Sequence, residues 1–126
     1  MKIPPPDAIV AAADLQRVHF IGIGGAGLSA IARLMLAQGV TVSGSDGTDS
    51  EVLERLRAEG ATVFAGHRAE QVEGAQVVVV STAVPEDNPE VLRAQELGLQ
   101  IWPRSAGVAS VMAGHRVLAV SGTHGK

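Results

Sequence analysis

The stretch His19 to Gly39, HFIGIGGAGLSAIARLMLAQG, constrains the fold most, because an aliphatic run meets a cluster of glycines and then a run with helical spacing. Gly22, Gly24 and Gly27 fit the pattern G-x-G-x-x-G, with Ile23, Gly25 and Ala26 between them. In such a turn the first glycine allows a sharp bend, the second lets the backbone approach a diphosphate, and the third lets helix and strand pack closely. The N–H groups of Gly25, Ala26 and Gly27 are then expected to face phosphate oxygens at the positive end of the helix. Asp46 follows Gly27 by 19 residues and ends the next predicted strand, where a carboxylate holds ribose hydroxyls or, alternatively, only shapes the turn in SDGTD.

The rest of the chain repeats the strand–helix alternation. Arg17 to Ile23 is a strand expected to be covered on both faces. The helix from Gly25 to Gln38 carries Leu28, Ile31, Leu34 and Met35 on one side, and Gly39 stops it. VTVSGSD is the second strand, and TDSEVLERLRAEG reads as a helix opened by a capping box of Thr48 with Glu51. ATVFAG and AQVVVVS are strands three and four. Asn88 caps the helix NPEVLRAQELG, with Pro89 in its first turn and Gly98 at its stop, and LQIW is strand five. A short helix over Ser105 to Met112 precedes a last predicted strand, RVLAVSG. Short connections between alternating elements predict an α/β fold, Rossmann-like and doubly wound, with a mainly parallel sheet. Residues 1–16 read as a flexible leader and 17–115 as the nucleotide-binding domain. Because Lys126 directly follows a predicted strand, the chain reads as a piece of something longer.

Composition narrows the partners. With 10 Lys and Arg against 13 Asp and Glu, a formal charge of −3 and no basic cluster, no nucleic acid partner is expected. Two Phe, one Trp and no Tyr leave almost no stacking platform for bases. The absence of cysteine fits a reducing, cytoplasmic compartment. The proline-rich start makes a poor signal peptide, and glycines with Arg33 break the longest apolar run, so no membrane partner is expected.

A second glycine segment, VLAVSGTHGK, follows the last predicted strand. Gly122, Thr123, His124, Gly125 and Lys126 have the logic of a P-loop, in which amides wrap phosphates and a lysine adds a point charge. The spacing departs from G-x-x-x-x-G-K-[ST], since Val120 stands where the first glycine belongs.

Taken together, VHFIGIGGAGLSAIARLMLAQGVTVSGSD, FAGHRAEQV, VVVVSTAVPEDNPEV and AVSGTHGK closely resemble the amino-terminal part of the Mur ligases of peptidoglycan synthesis, from about Arg17 to Lys126. The family pattern G-T-[HN]-G-K-[TS] accounts for the short P-loop spacing. GIGGAG favours the member that joins L-alanine to UDP-N-acetylmuramate, with the ligase that recycles murein tripeptide a near neighbour. The resemblance implies a three-domain enzyme using ATP and Mg²⁺, in which a muramoyl carboxylate is phosphorylated and the amine of alanine attacks the acyl phosphate.

On this resemblance residues 22–27 bind the UDP diphosphate, Asp46 lies at the nucleoside, and Ser81, Thr82 and Ala83 form a small-residue phosphate loop. His67 and Asn88 fall near the uridine or sugar, and Arg104 near the mouth of the site, each with a surface or capping role as the alternative. Residues 122–126 belong to the ATP site, and residues 116–126 would open the ATPase domain. No catalytic residue or metal ligand falls within the chain. It is expected to bind the UDP substrate without ligating, and to hold neither ATP nor Mg²⁺ by itself. Two other classes remain open. A nicotinamide-dependent oxidoreductase explains the first glycine turn and Asp46 but not GTHGK, and a non-catalytic nucleotide-sensing module needs no P-loop.

Overall fold

A computed structural model describes the backbone of residues 3–122 and the side chains of residues 3–113. Five strands, β1 (Arg17–Ile21), β2 (Thr41–Asp46), β3 (Thr62–Ala65), β4 (Val77–Val80) and β5 (Gln100–Pro103), form one parallel sheet in the order β3-β2-β1-β4-β5. Four helices accompany them: α1 (Ala26–Ala37), α2 (Glu51–Ala58), α3 (Pro89–Glu96) and α4 (Arg104–Gly122). The doubly wound α/β expectation is therefore met.

Side-chain alternation sorts the sheet into two faces. Val18, Phe20, Val42, Val63, Val77 and Val79 join the larger core with Leu28, Ile31 and Met35 of α1, Leu53 and Leu56 of α2, and Ala106 and Val111 of α4. Ile21, Val78 and Val80 pack on the other face against Val91 and Ala94 of α3 and Val72. Trp102 is buried in the larger core, its Nε1 donating to Gln100 Oε1 at 3.1 Å. Gly39, Gly60 and Gly98, just past α1, α2 and α3, all have positive φ, the left-handed conformation that ends a helix most cheaply in glycine.

Four local expectations are corrected. Leu34, placed on the buried stripe of α1, is 44% exposed, and Ala32 takes its share of the contact. The capping box at Thr48 does not form. Asp46 Oδ1 accepts from the Thr48 amide at 3.3 Å, an Asx-type turn that delays α2 until Glu51, with Ser50 as cap. The leader is not loose throughout. A 3₁₀ turn at Ala12–Asp14 packs beside α4, Ala12 and Leu15 are buried, and Ser110 Oγ donates to Val10 O at 2.6 Å. Finally, the predicted strand from Arg116 to Gly122 is the end of α4 instead. A strand there needs a neighbour to take up its amides. Among the described residues none is paired with it, whereas a helix closes its hydrogen bonds within the segment.

Candidate functional site

The strand order reverses between β1 and β4, and in such sheets ligands bind outside the carboxyl ends of the strands at that point. The loops after those two strands contain two of the sequence-predicted groups. The amides of Gly22 and Ile23 donate to Ser45 O at 2.8 and 3.0 Å, which turns the chain away from β1 over the end of β2. Gly22 has φ +87°, and a Cβ there would fall 2.9 Å from Ser81 Cβ, so the turn lies directly against the β4 loop. That loop is itself a tight turn. Ser81 N donates to Ile21 O at 3.0 Å, Ser81 Oγ accepts from Ala83 N at 3.2 Å, and Val84 N donates to Ser81 O at 3.1 Å. Thr82 and Ala83 stand exposed at its tip.

Asp46 fastens the glycine turn. Its Oδ2 accepts from the Gly24 amide at 2.9 Å, and a Cβ on Gly24 would meet the same oxygen at 2.7 Å. With both oxygens engaged, by Gly24 and Thr48, the carboxylate shapes the loop whether or not a ribose also reaches it.

The expected set of phosphate-facing amides shifts by one residue. Gly25 N donates to Gly22 O at 3.2 Å inside the turn, so it is already engaged. Ala26, Gly27 and Leu28 are the first three residues of α1 and find no acceptor among the described residues. No side chain caps this end, because the cap residue is Gly25. Three such amides at a helix start can receive an anion, which the helix dipole also favours. Arg104 lies beside them. A Cβ on Gly27 would lie 2.9 Å from Arg104 Cδ and 3.2 Å from Nη1, so the guanidinium stem crosses that glycine. Among the described residues Arg104 has no carboxylate partner, and its charge is available to an anion.

His67 and Asn88 lie elsewhere. Asn88 is buried, and its Oδ1 accepts from Glu90 N at 2.8 Å, which makes it the N-cap of α3. That is the capping alternative. His67 follows β3, next to Asp46, whose carbonyl accepts from the Gly66 amide at 2.6 Å. Its ring turns toward a buried polar cluster that sequence reading passed over.

At the centre of that cluster is Glu90, fully buried at the second position of α3. Oε1 bonds His19 Nε2, and Oε2 lies 2.9 Å from His67 Nδ1 and accepts from Gln71 Nε2 at 3.2 Å. Ser43 Oγ lies 2.8 Å from His19 Nδ1, and Ser45 Oγ 3.0 Å from His67 Nδ1. Burial pushes the Glu90 carboxyl up, but hydrogen bonds from His19 and Ser45, the charge of the His19 ring and the bond from His67 together hold it below the ordinary carboxylate value. The available signal was His19, Ser43 and Ser45 at strand period two among aliphatic residues, all directed to one face. Among the described residues, no group of three or more His, Cys, Asp or Glu side chains is arranged to hold a metal ion.

The family model described as Mur ligase family, catalytic domain, matches residues 17–116. The chain belongs to the Mur ligase family. A UDP-N-acetylmuramate–L-alanine ligase of Nocardioides sp. is 61% identical over 126 residues, covering 100% of this chain and 28% of that protein. The enzyme of the same name from Thermobifida fusca is 49% identical, covering 100% of this chain and 27% of its own length. Among solved structures, the UDP-N-acetylmuramate-alanine ligase MurC of Thermotoga maritima superposes with a TM-score of 0.68 at 36% identity, over 70% of this chain and 20% of that one. A murein peptide ligase of Psychrobacter arcticus gives 0.64 at 26% identity, over 68% and 18%. The chain thus spans about a quarter of the length of the curated relatives it matches. The Mur match begins at Arg17, the first residue of β1, and contains every predicted UDP-site residue. Gly122 is described only as backbone at the end of α4, and Thr123, His124, Gly125 and Lys126 lie outside the described residues.

Proposed function

We propose that this chain is the UDP-binding part of an ATP-dependent ligase that joins L-alanine to UDP-N-acetylmuramate in peptidoglycan synthesis. The observation that carries the reading is the candidate anion site at the switch point: three amides of α1 with no acceptor among the described residues, and Arg104 beside them. The diphosphate sits on the Ala26, Gly27 and Leu28 amides, facing Arg104 and the Ser81–Thr82–Ala83 turn. The nucleoside lies toward Asp46 and His67, at the carboxyl ends of β2 and β3. ATP and Mg²⁺ belong to the segment Gly122 to Lys126 and to the ATPase domain that the family builds around it. The described residues orient the UDP end and leave the carboxylate to be activated elsewhere. The setting is the cytoplasm, and no helix among the described residues is long and apolar enough to cross a membrane.

Calorimetric titration with UDP-N-acetylmuramate and, separately, with NADH tests this. Saturable binding of the UDP sugar, weakened about tenfold by Arg104→Ala, is expected. Binding of NADH with no response to the UDP sugar would replace the reading with the oxidoreductase one.

A further inference from the structure

We propose that Glu90 is a positioning residue for nucleoside recognition: its buried carboxylate fixes the His67 proton on Nδ1, leaving Nε2 as an acceptor for a donor group of uridine. This rests on the UDP reading above and adds to it a hydrogen-bond polarity.

An ionised carboxylate only accepts hydrogen bonds, so each imidazole nitrogen against Glu90 must carry the proton. Oε1 faces Nε2 of His19, whereas Oε2 faces Nδ1 of His67. Whenever the two rings are neutral, one carboxylate therefore selects opposite tautomers in them. Its place in the first turn of α3, where the helix dipole favours negative charge, supports the ionised form.

The two rings differ in what remains. His19 is wholly buried and spends its other nitrogen on Ser43 Oγ. The His67 side chain is 22% exposed, and its Nε2 has no partner among the described residues. A ring serving only to close the cluster has no need of an exposed nitrogen. The Gly66 amide before it donates to the Asp46 carbonyl, so His67 stands at the carboxyl ends of β2 and β3, where the nucleoside is expected. An acceptor there matches a ribose hydroxyl or the imide N–H of uracil. It does not match the bare ring nitrogen of cytosine.

Two measurements test this. Long-range ¹H–¹⁵N correlation of histidine-labelled protein at about pH 8, where an unperturbed imidazole is neutral, should show His67 protonated on Nδ1 and His19 on Nε2. Glu90→Gln should give a mixed His67 tautomer. Titrations with UDP, its N3-methyl analogue and its 2′- and 3′-deoxy analogues then locate the donor. Wild type should lose about tenfold with one of these analogues, and Glu90→Gln should bind UDP about tenfold more weakly while no longer distinguishing it from that analogue. His67→Ala, which leaves the His19–Glu90 pair intact, should lose the same discrimination and serves where Glu90→Gln does not fold. A wild-type His67 protonated on Nε2, or variants that keep full discrimination, overturns the positioning role alone. Failure of wild type to bind UDP at all overturns the underlying ligand reading, and the nucleoside role with it.

Discussion

Gly44 shows how much one hydrogen can matter in the middle of a strand. A Cβ at this position of β2 would fall 2.9 Å from Ile23 Cβ and 3.0 Å from Phe20 O, so β2 cannot accept it without shifting the turn that Ile23 enters. Gly44→Ala should destabilise the protein by about 1–3 kcal/mol, as overpacking of a closed core does, read from urea unfolding. An unchanged midpoint would mean that Ile23 is free to move. Asp46 is the second such residue. Its removal frees the Gly24 and Thr48 amides together, and Asp46→Ala should weaken UDP binding by about 1–3 kcal/mol, measured by calorimetry, with faster hydrogen exchange at Gly24. Equal affinity would show that the turn holds without its tether. The glycine turn was legible because φ and close approach restrict residue type at Gly22, Gly24 and Gly27. Gly44 was not, because the atom it avoids belongs to a neighbouring loop that only the fold brings there.

At the scale of elements, α3 shows where sequence and structure diverge. Asn88 and Pro89 announce a helix start, and the helix is there. The same Asn88 also matched a family position near the uridine or sugar, and geometry assigns its carbonyl oxygen to the Glu90 amide. Asn88→Ala should cost about 1 kcal/mol of stability, the usual worth of a cap, and leave UDP affinity nearly unchanged. A loss of affinity beyond threefold would return Asn88 to the sugar. The start of α2 was misplaced for a related reason. Thr48 and Glu51 have capping-box spacing, but the Asp46 carboxylate reaches the Thr48 amide first. Local patterns predict helix ends well until a neighbouring side chain competes for the same donor. The end of α4 is the converse, since an aliphatic run reads as a strand although strand formation depends on partners the run itself does not specify.

Across the whole molecule the two faces of the sheet are unequal. One is sealed by α1, α2 and α4 around aliphatic side chains and Trp102, while the other divides between an aliphatic patch under α3 and the His19–Glu90–His67 cluster. That cluster ties β1, β2, α3 and the segment after β3 through one carboxylate, so protonation there is felt by every element it joins. The folded carboxyl lies below its ordinary value of 4.5, which the unfolded chain recovers. On acidification the unfolded state therefore takes up this proton first. The contribution of Glu90 is fully present above that value and is lost as pH falls through the lower folded one. In thermal melts, wild type should be more stable than Glu90→Gln near neutrality, and the gap should narrow as pH drops below the ordinary carboxylate range. The amide of the Glu90→Gln variant has no proton to gain there, so its curve should fall less steeply. A gap that stays constant into acid would mean that Glu90 is already neutral in the folded protein, and its bonds to both imidazoles would need their donors reassigned.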